Sequence, residues 1–476
     1  MKARESEVLA KYFNIIESFR GKKGIGMGDI RAYISALADL EVIETGIKKR
    51  EDLIEILSEI LNRMESSEPP QDYKDTLRKW VNIDKSILSE YSRNIKCRGV
   101  PEGTKLRSNG FSSISLFSGS FGLDLGFEWA GFDTRVAVDI DPASKEIISA
   151  NRPEIPFILD DIKNIPTETL LETAGEDKGD IDVLTGGPPC QPFSTAGKRM
   201  GLNDPRASPL REYIRVINEA KPKIFVMEEV TGLLNARIKH VPIKERGKRK
   251  LLPEERKGSV WKVILDELKN TGYRIFQGVL DAADYGTPQK RKRVIIIGLR
   301  PDLKVKIPLI PEKTHKKPNL PSLKLLKPWR TLFDAIMGIE PGEFINLPPK
   351  YATYMRYVPA GGNWRQIPDR FKREAMNNAL YAGGGKMGFY RRLCWFEPSP
   401  TLVTSPSMKG SMMIHPWEER PLSVNEYKAI QGFPLDWELP GSVTNKYKKV
   451  GEAVPPTLSY AIARNLAKAL KEVDKW

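Results

Sequence analysis

Cysteine and histidine are scarce in this chain, with three of each in 476 residues. The cysteines (Cys97, Cys190 and Cys394) cannot build a disulfide framework, and none belongs to a CxxC pair. That excludes a disulfide-stapled secreted domain, argues for a reducing compartment and removes the zinc ribbon. The histidines His240, His315 and His415 are scattered, so no multi-histidine metal site is expected. Long apolar runs are also missing: nothing approaches the ~18 residues that a bilayer span requires. The amino terminus, MKARESEVLAKYF, alternates charge with apolar residues and lacks the apolar stretch of a secretory signal. A soluble, cytoplasmic protein with no membrane partner is the expectation. Acidic residues are the minority charge, 61 against 76 Lys and Arg, which leaves a net +15. A polyanion partner follows, nucleic acid ahead of a membrane surface.

What is present suffices for a large core, since 40% of residues are hydrophobic. Residues 1–108 read as a helical accessory unit, with Leu9, Phe13 and Ile16, and later Leu53, Ile56, Leu57 and Ile60, at helical spacing. From Phe111 short β-branched runs alternate with helical stretches. SISLF (113–117), TRVAVD (134–139), IDVLT (181–185), KIFVME (223–228) and RVIIIGL (293–299) are the candidate strands. Near-continuous apolar strands joined by helical crossovers predict an α/β, doubly wound, mostly parallel sheet over 109–300, which binds ligands at its strands' carboxyl ends. Between 301 and 390 the rhythm fails in a Pro- and Gly-rich, irregular insertion, and 391–476 resumes compact patterning to complete the unit.

The motifs fall beside those strands. SLFSGSFGLDLGFEWAGF (115–132) is a strand, a glycine turn and a helix; Gly119 and Gly122 allow close backbone approach, and a helix N-terminus favours polar or anionic groups. Asp139 ends the next strand, where an acid suits ribose hydroxyls, and the Asp160–Asp161–Ile162 step suits an adenine amino group and ring face. Each feature alone is weak, because terminal Asp residues often cap helices. Together they suggest a nucleoside-containing cofactor. In TGGPPCQPFSTAGKRMGLNDPR (185–206), paired glycines and prolines present Cys190 at a rigid turn, a place for a nucleophilic thiolate and not for a core cysteine. The following strand delivers Glu228, a candidate catalytic acid. In QKRKR (289–293), Gln289, Arg291 and Arg293 alternate, which sends both arginines to one face, there to grip an oxygen or phosphate.

The series FxGxxG (117–122), DID (139–141), DDI (160–162), GGPPCQPFS (186–194), MEEV (227–230), QKRKR (289–293), QGFP (431–434) and GEAVPP (451–456) resembles the cytosine-5 DNA methyltransferases, especially those of prokaryotic restriction–modification systems. The resemblance runs from residue 111 to about 472. It implies a Rossmann-like fold, S-adenosylmethionine as cofactor and double-stranded DNA as partner. Cys190 would attack carbon 6 of a flipped cytosine. Glu228 would bond the base, Arg293 would hold O2, and Arg291 would support the pocket. Phe117, Gly119, Gly122, Asp139, Ile140, Asp161, Ile162 and Glu452 match cofactor contacts. Gln191, Ser194, Lys198, Arg199 and Arg206 lie in the loop expected to close over DNA, and Gln289 is likewise expected to contact DNA.

By the same analogy 301–390 is the target-recognition domain. It holds 15 Lys and Arg against 7 Asp and Glu, with Trp329 and Trp364 interleaved. Arg365, Arg370, Lys372 and Arg373 are its first candidates for DNA contact. A monomer working beside a cognate restriction endonuclease is implied. Three positions depart from the family pattern: Phe121 where glycine is usual, and Glu229 and Glu452 where asparagine is usual. A tRNA methyltransferase of the same fold and a non-catalytic DNA-binding relative are the alternatives.

Overall fold

The computed structural model describes residues 108–189, 208–239, 241, 248–317, 326–336, 339–381, 386–395, 397–416 and 418–473. The helical unit expected at 1–108 therefore lies almost wholly outside the described residues. So do Cys190, Gln191, Ser194, Lys198, Arg199 and Arg206.

One seven-stranded sheet organises the rest. Its strands are β1 (Ser112–Leu116), β2 (Asp133–Asp139), β3 (Phe157–Leu159), β4 (Val183–Gly186), β5 (Ile224–Val230), β6 (Arg274–Asp281) and β7 (Lys292–Leu299), in the order β3-β2-β1-β4-β5-β7-β6. The first five pair in parallel, and β7 runs antiparallel between β5 and β6. The mostly parallel sheet expected from the apolar runs is present. Two strands escape the apolar rule: β3 has three residues, and the edge strand β6 exposes Phe276 and Val279.

Both faces are covered, as buried strands require. On one side Leu116, Val138, Phe225 and Ile296 pack against α3 (Thr167–Ala174), α4 (Ser208–Ala220) and α5 (Ser259–Asn270). Strand alternation sends Val183, Val226, Ile295 and Ile297 to the other side. There α1 (Gly122–Trp129) lies against the carboxy-terminal helix α11 (Pro456–Val473). The approach is close enough that a Cβ on Gly126 would come within 2.4 Å of Ser459 Cβ, so only glycine fits. Beside them α2 (Pro142–Asn151), α9 (Val424–Gln431) and α10 (Val443–Glu452) share a core with Phe121, Trp437 and Tyr447.

The insertion is less separate than its sequence suggested. Leu303 and Leu309 pack into the α11 side of the sheet, and α6 (Leu332–Ile336) into the α9 core. A small core of its own gathers Tyr354, Met355, Ile367, Met376 and Tyr390 from α7 (Pro349–Met355), α8 (Asp369–Met376) and their links. That core also takes Met412 and Ile414 from beyond residue 391. Arg392 stitches the two parts, donating to the carbonyls of Met355, His415 and Glu418.

Candidate active site

Two clusters sit at the carboxyl ends of the strands. The first surrounds the turn between β1 and α1. Phe117, Gly119 and Phe121 all have positive φ, at 57°, 56° and 69°. For the two phenylalanines this conformation costs roughly 1–2 kcal/mol each, so surrounding structure must hold it. Asp139 does part of that. Its Oδ2 accepts the Gly119 N–H and its Oδ1 the Asp141 N–H, each at 2.8 Å. Each carboxylate oxygen keeps a second lone pair that a ribose hydroxyl can use. Gly122 is sterically required, because a Cβ there would stand 2.3 Å from the Val454 carbonyl oxygen. Phe121 keeps the left-handed backbone that makes glycine usual at such a place, and its ring is wholly buried, stacked on Trp437 at 6.2 Å. Phe121 therefore fills the core beneath the turn with an aromatic ring.

Next to Asp139, Ile140 is 64% exposed, and Leu159, which pairs with Asp139 at the end of β3, is 39% exposed. Apolar side chains uncovered beside a held carboxylate fit the ring of an adenosyl group. Leu159 was missed in the sequence because nothing distinguishes it from an ordinary strand residue. Ile162, expected on the ring face, is 4% exposed and packs in the core with Leu116 and Val138. The chain turns into a 3₁₀ segment at that point, which rotates the side chain inward. Asp161 caps this segment through the Lys163 N–H and pairs with Lys163 Nζ at 3.0 Å. Glu452 ends α10. Partial burial raises its pKa; Lys448 and Lys449 oppose the shift, while Asp141 and Asp139 add to it.

The second cluster lies where β4 and β5 end and the antiparallel β7 begins. Glu228 and Arg293 meet diagonally across the β5–β7 pair, with Arg293 Nε 2.5 Å from Glu228 Oε1 and both side chains mostly buried. The chain leaving β4 passes directly over them, since a Cβ on Gly187 would meet Glu228 Oε2 at 3.2 Å. Pro188 and Pro189 then lead straight to Cys190. Glycine at 187 thus lets the backbone leaving β4 lie close to the carboxylate.

Arg291 and Gln289 do something else. Arg291 is 1% exposed, and its guanidinium donates to the carbonyls of Leu402, Gly451 and Glu452. Burial, with Arg293 adding, pulls its pKa down to about 9, so it stays protonated at neutral pH. It does not share a substrate-facing surface with Arg293, because the chain between them passes from a short bridge strand (Gln289–Lys290) into β7. Gln289, expected to touch DNA, is fully buried. Its Nε2 donates to Gln431 Oε1 at 2.5 Å and its Oε1 accepts the Leu402 N–H at 2.9 Å, while Gln431 donates onward to the Ala453 carbonyl. Its two ends are committed inside the protein. These two residues bind the strand motif to the QGFP and GEAVPP blocks.

In the insertion, Arg365, Arg370 and Arg373 are exposed. Arg370 lies over the Phe371 ring, and Lys372 pairs with Asp369 at 2.7 Å. Arg365 and Arg373 have no carboxylate within ion-pair distance among the described residues, which leaves them open to a polyanion. Trp329 donates its indole N–H to Asp284.

Residues 111–468 match the family model for the C-5 cytosine-specific DNA methylase. The chain is 39% identical over 379 residues to the Type II methyltransferase M.PspPI of a Psychrobacter strain, covering 77% of this chain and 82% of that one. It is 32% identical to M.Eco47II of Escherichia coli over 84% of this chain and 94% of the relative. M.Sau96I of Staphylococcus aureus is 35% identical, over 82% and 83%. Among solved structures, a protein described as a DNA modification methyltransferase encoded within an Escherichia coli prophage aligns with TM-score 0.52 and 24% identity. That alignment covers 76% of this chain and all of the other, a likeness of fold.

Proposed function

Because the chain belongs to the C-5 cytosine-specific DNA methylase family, we propose that it methylates carbon 5 of a cytosine flipped out of a specific site in duplex DNA, using S-adenosylmethionine. The observation that carries the proposal is the Glu228–Arg293 pair beneath the loop that leads to Cys190.

The thiolate of Cys190 adds to carbon 6 of the base, which makes carbon 5 nucleophilic. Extrusion is required because stacking hides the ring from a thiolate. Glu228 grips the N3 and exocyclic-amine edge of the ring. Arg293 holds the carboxylate from the side and offers its remaining N–H groups to O2, where charge gathers in the adduct. Arg291 fixes the entry to β7, from which Arg293, paired with Val230, reaches diagonally to Glu228. When bound, S-adenosylmethionine supplies an electrophilic methyl carbon. The 117–122 turn, Asp139, Ile140, Leu159 and Asp161 would hold it. After alkylation the carbon-5 proton leaves to a base and the Cys190 thiolate is expelled, restoring the aromatic ring. Arg365 and Arg373 would contact the DNA, in a monomeric, cytoplasmic enzyme that marks host DNA beside a cognate endonuclease.

The test is transfer of tritiated methyl from the labelled cofactor to duplex DNA, with tRNA as the competing substrate and bisulfite sequencing to locate the site. Cys190→Ser should abolish transfer, since a hydroxyl stays protonated near neutral pH. A variant retaining more than about a tenth of the rate, a loss of only ~1.4 kcal/mol, refutes the nucleophile.

A further inference from the structure

Lys449 is one of two buried lysines among the described residues, 4% exposed in the last turn of α10. Its ammonium reaches across to the start of α2, donating to Ser144 Oγ at 2.7 Å and to Asp141 Oδ2 at 2.9 Å. Its own carbonyl accepts the Ser120 hydroxyl at 2.9 Å, and Ser120 stands inside the strained turn. Asp141 donates its N–H to Asp139, and Asp139 accepts the N–H of Gly119, the residue before Ser120. These contacts form a closed circuit running Gly119, Asp139, Asp141, Lys449, Ser120.

We propose that Lys449 is a positioning residue for the cofactor, closing a ring of hydrogen bonds that holds the 117–121 turn and Asp139 in binding geometry. The inference rests on the cofactor site proposed above. Its logic is steric and electrostatic. Phe117 and Phe121 sit in left-handed conformations that an isolated turn would leave, so the turn needs an external anchor. The ammonium's burial is offset by Asp141, whose carboxyl is held below its usual range chiefly by this hydrogen bond. With the ammonium gone, Asp141 keeps in α10 only the longer contact to Lys448, at 3.8 Å, and the ring opens between Asp141 and α10.

The other buried lysine supplies a control. Lys428 donates to the carbonyls of Leu435 and Trp437 and touches no member of the ring. Calorimetry of S-adenosylmethionine and S-adenosylhomocysteine binding to the full chain, with steady-state kinetics, separates the outcomes. Lys449→Met keeps the stem and should raise the Kd of both ligands about tenfold. KM for the cofactor should rise with it, and kcat at saturating cofactor should stay within about twofold. Ser120→Ala opens the ring on the carbonyl side and should weaken binding in the same sense, which keeps the test alive if Lys449→Met does not fold. Lys428→Met should lower the melting temperature and leave both affinities unchanged. Cofactor affinity within twofold of wild type in both Lys449→Met and Ser120→Ala overturns the ring's role. A wild-type chain that binds neither ligand overturns the cofactor site itself.

Discussion

Replacing Gln289 by Met separates two roles that a polar residue in a DNA-facing motif can have. Methionine has nearly the same length, so no large cavity forms, and the loss is polar. The Leu402 N–H and Gln431 Oε1, both paired with Gln289 inside the core, are left without partners. A buried polar group stripped of its partner costs about 1–3 kcal/mol, giving roughly 2–6 kcal/mol for two. Some relaxation is expected, so about 3 kcal/mol is the working figure. Gln289→Glu should be at least as damaging, because it buries a carboxylate against the Gln431 oxygen. Urea unfolding followed by tryptophan fluorescence measures the change as a lower midpoint at unaltered slope. DNA affinity of the folded variant should stay close to wild type. A stability loss under about 1 kcal/mol, together with a DNA affinity reduced tenfold or more, would show that the side chain contacts DNA and that the buried knot is wrong.

Other perturbations probe other parts. Burial pushes the Asp124 carboxyl up to about 6, against the hydrogen bond from Thr185. The folded state then holds its proton more tightly than the unfolded chain, so stability falls as pH rises from about 4 through 6 and stays lowered above that. Asp124→Asn should remove much of this fall and stabilise the protein at pH 7.5 by up to about 3 kcal/mol; an unchanged pH–stability curve contradicts the assignment. Gly122→Ala drives a methyl into the Val454 carbonyl and should weaken both stability and cofactor binding, as thermal shift with and without S-adenosylmethionine would register. Arg365→Gln with Arg373→Gln should weaken binding to every DNA sequence alike and reduce the salt slope by about two units if both touch phosphates. Relaxed site preference in bisulfite maps would instead mark one of them as a base reader.

The sheet was legible because its central strands are buried on both faces, which makes them continuous apolar runs. Strand β3 was not, since three residues between a proline and an acidic pair carry no period. The edge strand β6 alternates too weakly, and the reversed direction of β7 leaves no mark in composition. Glu228 and Arg293 were singled out by chemistry and position as candidates, and the structure sets them side by side. Gln289 was misplaced because a polar residue in a basic run looks solvent-facing; only the tertiary partners, 113 and 142 residues away, reveal its burial. The boundary at 301–390 was blurred for a related reason. Leu303, Leu309 and Leu332 belong to cores completed by distant segments, and Pro-rich sequence gives no period from which to assign them.

The packing of α11 on α1 makes the folded sheet depend on two segments that are remote in the chain. Ser459 donates to the Leu123 carbonyl across 336 residues, and Leu458, Ile462, Leu466 and Leu470 fill the core on that side of the sheet. Without α11 the sheet has no covering there and α1 loses the surface it lies on. A chain cut ahead of Pro456 is consequently not a slower enzyme but an uncovered sheet, open to proteolysis.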